Sequence, residues 1–192
     1  MSKNELSVKP KKPMTKMFWV DLEMTGLDPE RDAIIEFAAI ITDLAFKPIA
    51  RYHSVVFQPP ALLAQMDEWN RTTHSASGLL GRIPQGKQLG QVEDEILTLI
   101  HEQFGEESPI LAGNSIHQDR KFIDRHMKAL AGVLHYRMID VSSFKEIFRS
   151  VYQKNFQKDN THRATDDIEA SIAELEFYLG FVQLEPQVPS KS

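Results

Sequence analysis

The 192 residues include no cysteine, which removes thiol nucleophiles, Cys-ligated zinc, iron–sulfur clusters and a disulfide framework from consideration and suits a reducing cytoplasm. No apolar run approaches the roughly 18 residues that a membrane span requires. Positive charge is not in excess either: 22 Lys and Arg against 27 Asp and Glu leave a formal net charge of −5. That balance argues against a protein that grips long duplex nucleic acid chiefly through counterion release. It still admits a nuclease whose substrate carries few phosphates and whose carboxylates hold divalent cations. There is no internal repeat and no low-complexity tract. Met1 to Lys16 carries five lysines but no arginine and no apolar segment, so it reads as a flexible tail and not as a secretory signal or a mitochondrial presequence. Gln183 to Ser192, with Pro186 and Pro189, reads as a second frayed end.

What is present is the composition of an ordinary globular domain, 42% hydrophobic and 26% charged. A chain of this length buries about 70% of its unfolded surface, so a single domain over residues 17–182 is expected. Met17 to Asp21, with Phe18, Trp19 and Val20, reads as a first strand. Ile34 to Ile41 is nearly continuous apolar, as in a central strand buried on both faces. Tyr52 to Phe57 is a third strand before Pro59-Pro60, and the short links suggest a meander. Pro109 to Ala112 is a short strand ending at Gly113-Asn114. Val92, Ile96, Leu99 and Ile100 fall at helical spacing, as do Phe122, Ile123, Met127 and Leu130. The pattern recurs at Val141, Phe144, Phe148 and Val151, and at Ile168, Ile172, Leu175 and Leu179. Strands first, then strands alternating with helices, predict an α/β domain with a mixed sheet flanked by helices.

Chemistry concentrates in three places. In Asp21-Leu22-Glu23, period-two geometry puts both carboxylates on one face; alone, D-x-E reads equally as an exposed strand end. Asp119 lies three and four residues before Phe122 and Ile123 and so shares their core-facing side, where a carboxylate needs a partner or a metal; an acid stabilised at a helix N-terminus is the less favoured alternative. Its helix follows Gly113-Asn114-Ser115, a loop at the carboxyl end of a strand, where open α/β sheets place their sites. In His162-Arg-Ala-Thr-Asp166-Asp167, Asp167 is displaced about 100° from Ile168 and Asp166 about 200°. Asp167 therefore fits the edge of a core site, whereas Asp166 points more toward solvent. His162 sits on the incoming loop, a position where a lone histidine is usually just solvated. Four acids and a histidine at element ends can converge on one cleft. Hard oxygen ligands suit two Mg²⁺ or Mn²⁺ ions, and an imidazole of ordinary pKa near 6.5 can accept a proton from water.

These motifs, together with Phe18-Trp-Val-Asp-Leu-Glu-Met-Thr-Gly-Leu-Asp-Pro29, Gly113-Asn-Ser-Ile-His-Gln-Asp119 and His135-Tyr-Arg-Met-Ile-Asp-Val-Ser142, closely resemble the oligoribonuclease family of histidine-using DEDD exonucleases. The resemblance runs in order from about Met17 to Tyr178. It implies a ribonuclease-H-like mixed sheet and a homodimeric, metal-dependent 3′-to-5′ exoribonuclease. The implied substrates are single-stranded RNA fragments of two to five residues, dinucleotides above all. It also implies Asp21, Glu23, Asp119 and Asp167 as metal ligands and His162 as general base. Leu27 would wedge against a base, Trp69 and His74 would line a closed pocket, and Ser115, Tyr136, Arg137 and Ser142 would contact substrate, Tyr136 from across the dimer. Without the resemblance, Trp69 reads as core, Tyr136 as a surface aromatic and Arg137 as a solvated charge. The stretches Phe46 to Leu63 and Val151 to Asn160 match only loosely.

Other features lead elsewhere. Gly81-Arg-Ile-Pro-Gln-Gly86-Lys87 imitates a phosphate-binding loop, but Gln88 stands where a Ser or Thr must hold Mg²⁺. His53, His101, His117 and His126 have no zinc-ligand spacing. A DNA exonuclease of the same superfamily would share all five site residues. A catalytically silent nucleotide-binding module is the rival of another class, though four clustered acids cost such a module stability with nothing gained.

Overall fold

The computed structural model describes residues 13–157 and 164–182. Three strands, β1 (Lys16–Met24), β2 (Ile34–Asp43) and β3 (Pro48–Val55), form an antiparallel meander. β4 (Leu111–Gly113) pairs parallel to β1 and β5 (Met138–Asp140) parallel to β4, giving the order β3-β2-β1-β4-β5. The helices are α1 (Pro60–Leu63), α2 (Glu68–Ala76), α3 (Leu79–Arg82), α4 (Leu89–Phe104), α5 (His117–His126), α6 (Lys128–Val133), α7 (Val141–Tyr152) and α8 (Ala164–Leu179).

The alternation along β1 explains the layering. Phe18, Val20 and Leu22 face one side and pack with Val92, Ile96 and Ile100 of α4 and with Phe122 and Ile123 of α5. Met17 and Trp19 face the other side and pack with Val141 of α7 and Ile168, Ile172 and Leu175 of α8. Large side chains sealed in this way each contribute about 1.5–3 kcal/mol. Trp19 also places its indole N–H on Thr42 Oγ1 at 3.0 Å, so its one polar atom is satisfied inside the sheet. Asp21 and Glu23 continue the Met17–Trp19 face beyond the apolar stretch, which turns them toward α8.

The mixed sheet with helices on both faces is the one expected, with boundaries that differ for physical reasons. β1 runs on through Met24, so Asp21 and Glu23 lie within the strand and not at its tip. β3 begins at Pro48, four residues before the expected start. As an edge strand it tolerates a proline and leaves every other side chain exposed, which hides it from an apolar pattern. The Phe122 to Leu130 stripe is two helices, broken where Met127 leaves helical geometry at φ −125° and ψ 70°. Between Glu23 and Met24 the β1–β2 pairing skips Ile35, a bulge that turns Ile35 into a separate cluster with Met66, Leu79 and Ile83. The short helices between residues 60 and 82 were not foreseen.

β4 can lie beside β1 only because residue 113 is glycine. A Cβ there would sit 2.9 Å from the Val20 carbonyl oxygen and 3.1 Å from Ile116 Cδ1. Residue Lys87 of the phosphate-loop imitation donates to both carboxylate oxygens of Glu95, at 2.8 and 2.6 Å. Among the described residues no helix is long and apolar enough to cross a membrane.

Candidate active site

Asp21 and Glu23 project from one face of β1, and Asp167 projects from the first turns of α8, whose stripe docks Ile168 onto that same face. One carboxylate oxygen from each of the three lies within 4.8 Å of the others, although 144 positions of sequence separate Glu23 from Asp167. All three side chains are half-buried, open enough for a solute and closed enough for charges to interact strongly.

Asp119 approaches from α5, on the face it shares with the buried Phe122 and Ile123. β4 ends at Gly113 and pairs with β1 only as far as Trp19, so beyond that point this edge of β1 has no ladder partner from β4. Asp119 Oδ1 fills the place of the missing strand and accepts the Leu22 N–H at 2.9 Å. Asp119 is thereby tied to the backbone of the residue that separates the two acids of β1, its side chain almost wholly out of solvent, and it stands outside the 4.8 Å group of the other three.

The environment penalises these charges. Burial pushes the Glu23 carboxyl up to about 7, with further pressure from Glu36, Asp167 and Asp119. Burial likewise raises Asp119 to about 7, against the opposing hydrogen bond from Leu22 and with the Asp140 charge adding to the rise. Acids held at such values take up a divalent cation readily, because the cation supplies the positive charge that the fold withholds. The donors are all carboxylate oxygens, the set that suits Mg²⁺ or Mn²⁺ and disfavours soft metals.

Other predicted residues fall into three groups. Ser115 and Ser142 meet at the carboxyl ends of β4 and β5: the Ser115 N–H donates to Ser142 Oγ at 2.9 Å and to Asp140 Oδ1 at 3.0 Å. Ser115 holds φ 50° to do so. Asp140 also caps α7, accepting the Ser142 N–H at 3.0 Å. Leu27 and Trp69 stand 68% and 70% exposed, on the turn after β1 and on α2. His74, by contrast, is buried; its Nε2–H donates to the Met24 carbonyl at 3.0 Å and its Nδ1 lies 3.9 Å from Glu23 Oε2. Burial lowers its pKa, so it stands beneath Glu23 as a neutral ring.

Tyr136 and Arg137 are not brought to the acids. They precede Met138, which pairs with Leu111 and through it with Phe18, three residues before Asp21. At about 3.3 Å per residue that is roughly 10 Å toward the opposite end of the sheet. There the exposed Tyr136 ring stacks on His135 with centroids 4.5 Å apart, and the Arg137 guanidinium lies 5.3 Å from its centre. His162 lies outside the described residues, as does the side chain of Asp166. Sequence reading passed over Asn114, Ser171 and Glu174, although Asn114 stands inside the Gly113-Asn-Ser motif and Ser171 stands one turn after Asp167.

Residues 18–175 match the family model RNase_T, described as Exonuclease. The oligoribonuclease of Pseudomonas aeruginosa is 44% identical over 171 residues, covering 84% of this chain and 93% of its own. That of Vibrio cholerae is 46% identical over 172 residues, covering 84% of this chain and 92% of its own. Among solved structures, exonuclease I of Escherichia coli, in its zinc-bound complex with single-stranded DNA, superposes with a TM-score of 0.58 at 16% identity. It covers 88% of this chain, which in turn spans 41% of that longer enzyme. Exonuclease I of Methylocaldum szegediense gives a TM-score of 0.57 at 20% identity, with 84% of this chain and 40% of the other covered. At these identities the two structures speak for a shared fold.

Proposed function

The chain belongs to the RNase_T exonuclease family, with the oligoribonucleases as its close relatives, and on that premise we propose that it hydrolyses short single-stranded RNA from the 3′ end, dinucleotides above all, to 5′-mononucleotides in the cytoplasm. Asp21, Glu23, Asp119 and Asp167 would hold two divalent cations, Mg²⁺ or Mn²⁺. Those cations, when bound, supply the charge that stabilises the attacking water and the departing 3′-oxygen of the phosphodiester. His162 accepts the proton of the water as its oxygen bonds to phosphorus and the bond to the 3′-oxygen breaks.

The observation that carries this reading is the meeting of Asp21, Glu23 and Asp167 within 4.8 Å, with Asp119 locked to the intervening Leu22. Ser115 and Ser142 offer hydroxyls for phosphate, and the exposed Leu27 and Trp69 offer apolar faces for bases. The buried His74 serves from beneath, by holding the Met24 carbonyl at the end of β1. Tyr136 and Arg137, at the far end of β5, serve the site of a second copy in a homodimer. Exposed apolar side chains at Met138, Ile147, Val151, Tyr152 and Phe181 support such a pairing.

The test uses a 5′-labelled diribonucleotide and a labelled 20-mer RNA, each with Mn²⁺ or with EDTA. Fast metal-dependent conversion of the dinucleotide with the 20-mer barely trimmed is the expected result. Trimming of the 20-mer that stalls at dinucleotides would make the protein a general exonuclease instead. Absence of cleavage in both would overturn the reading.

A further inference from the structure

Glu174 is a carboxylate 1% exposed, on α8 between the apolar Ile172 and Leu175. A charge in such a place is costly, and apolar residues would pack there with less penalty. It takes part in a hydrogen-bond chain that runs from Tyr178 to Ser142. The Tyr178 hydroxyl donates to Glu174 Oε1 at 3.1 Å. The two hydrogens of Asn114 Nδ2 go to Glu174 Oε2 at 3.1 Å and to Ser171 Oγ at 2.8 Å. Ser171 Oγ passes its own hydrogen to the Asp167 carbonyl at 2.8 Å. On the other side, Asn114 Oδ1 accepts from Ser142 Oγ at 3.3 Å.

The placement of this chain is its significance. Asn114 belongs to the β4–α5 loop, five residues before Asp119. Ser171 and Glu174 belong to α8, four and seven residues after Asp167. Asp119 is already tied to β1 by the Leu22 N–H, whereas the helix that carries Asp167 docks on the other face of the sheet through Ile168, Ile172 and Leu175, apolar contacts that are non-directional and tolerate sliding. Hydrogen bonds with fixed geometry do not tolerate it.

We propose that Asn114, Ser171 and Glu174 form a positioning brace that ties α8 to the β4–α5 loop and so sets the spacing of Asp167 and Asp119 for metal binding. The proposal rests on the reading of the four acids as a metal centre. None of the three is a catalytic residue; each acts through the acids it holds in place.

The brace is tested by Glu174→Met, which fills the same space without the hydrogen bonds, and by Glu174→Gln, which keeps an acceptor for Asn114 or Tyr178. Mn²⁺ binding is titrated calorimetrically on the full chain without substrate, beside kcat and KM for a diribonucleotide and the thermal midpoint. Glu174→Met is expected to melt at or above the wild-type temperature yet bind Mn²⁺ about 10- to 100-fold more weakly. Its kcat is expected to fall by a similar factor while KM holds, and Glu174→Gln is expected to recover most of both. Ser171→Ala, a smaller change, is expected to move Mn²⁺ affinity the same way and decides the matter if Glu174→Met does not fold. Wild-type Mn²⁺ affinity in a folded Glu174→Met, or in Ser171→Ala where Glu174→Met is unfolded, overturns the brace. So do losses of affinity that merely track a lowered melting temperature. If the wild type binds Mn²⁺ and Glu174→Met weakens it but no RNA is cut, the brace stands and the exonuclease reading fails; a wild type that binds no Mn²⁺ overturns both.

Discussion

Glu23 sits directly across from Glu36 in the β1–β2 register, and the two carboxylates are treated in opposite ways. Glu36 is buried but answered, with Arg82 Nη2 at 2.9 Å and His53 Nε2 at 2.8 Å. Glu23 has a neutral imidazole at 3.9 Å and three acids around it. One acid is answered by a guanidinium within the fold, and its neighbour is the one proposed to take a metal ion. Arg82 therefore supports the site by keeping Glu36 paired. Arg82 is about half exposed, so Arg82→Ala is expected to destabilise by about 1–2 kcal/mol, less than for a fully buried pair. Urea denaturation of the metal-free protein checks this; a change within 0.5 kcal/mol, about the size of an ordinary surface substitution, would count against it.

The raised carboxyls predict how stability depends on pH. Glu23 and Asp119 keep their protons up to about 7 in the folded protein, whereas their ordinary values are 4.5 and 3.8. Between those limits these two groups bind more protons in the folded state than in the unfolded, so their contribution to metal-free stability falls as pH rises from about 4 to about 7. A divalent cation bound by these acids is expected to reverse that trend by replacing the protons. The thermal shift produced by Mg²⁺ or Mn²⁺ is expected to be small at pH 5 and large at pH 8. Scanning calorimetry across that range reads it directly, and an equal shift at both ends would remove Glu23 and Asp119 from the metal site.

Asp167→Asn removes one carboxylate from the cluster and keeps its shape. Because the acids repel when no metal is bound, the metal-free melting temperature is not expected to fall. Activity on a diribonucleotide is expected to drop by about three orders of magnitude, the loss of several kcal/mol of transition-state stabilisation. A variant as active as wild type would contradict the assignment.

His162→Ala separates proton transfer from metal binding. The expected loss in kcat is about 10²- to 10⁴-fold, with the Mn²⁺-induced thermal shift unchanged. Loss of that shift would make His162 a ligand and not a base.

Trp69→Ala tests the rim. A ring this exposed contributes little to folding, so stability is expected to stay within about 0.5 kcal/mol. If Trp69 stacks on a base, KM for the dinucleotide rises by about 5- to 150-fold, equivalent to about 1–3 kcal/mol. An unchanged KM would return Trp69 to the role of a plain surface aromatic.

What the sequence by itself determined is what local periodicity can encode. The apolar runs of β1 and β2, the helical stripes of α4, α7 and α8, and the shared face of Asp21 and Glu23 all follow from periods of 2 and 3.6 residues. The face of Asp119 follows from its neighbours Phe122 and Ile123 in the same way. Local pattern could not show the break at Met127, the edge strand from Pro48 or the short helices before Arg82, because each depends on what packs beside it. The tertiary structure alone decided that Asp119 takes the Leu22 N–H where β4 stops. It alone decided that Glu36 is answered by Arg82 while Glu23 faces the ring of His74, and that Tyr136 and Arg137 stand at the far end of β5. These are contacts between segments tens of residues apart, and such contacts are fixed by sheet order and layer packing, which leave no periodic trace in the chain.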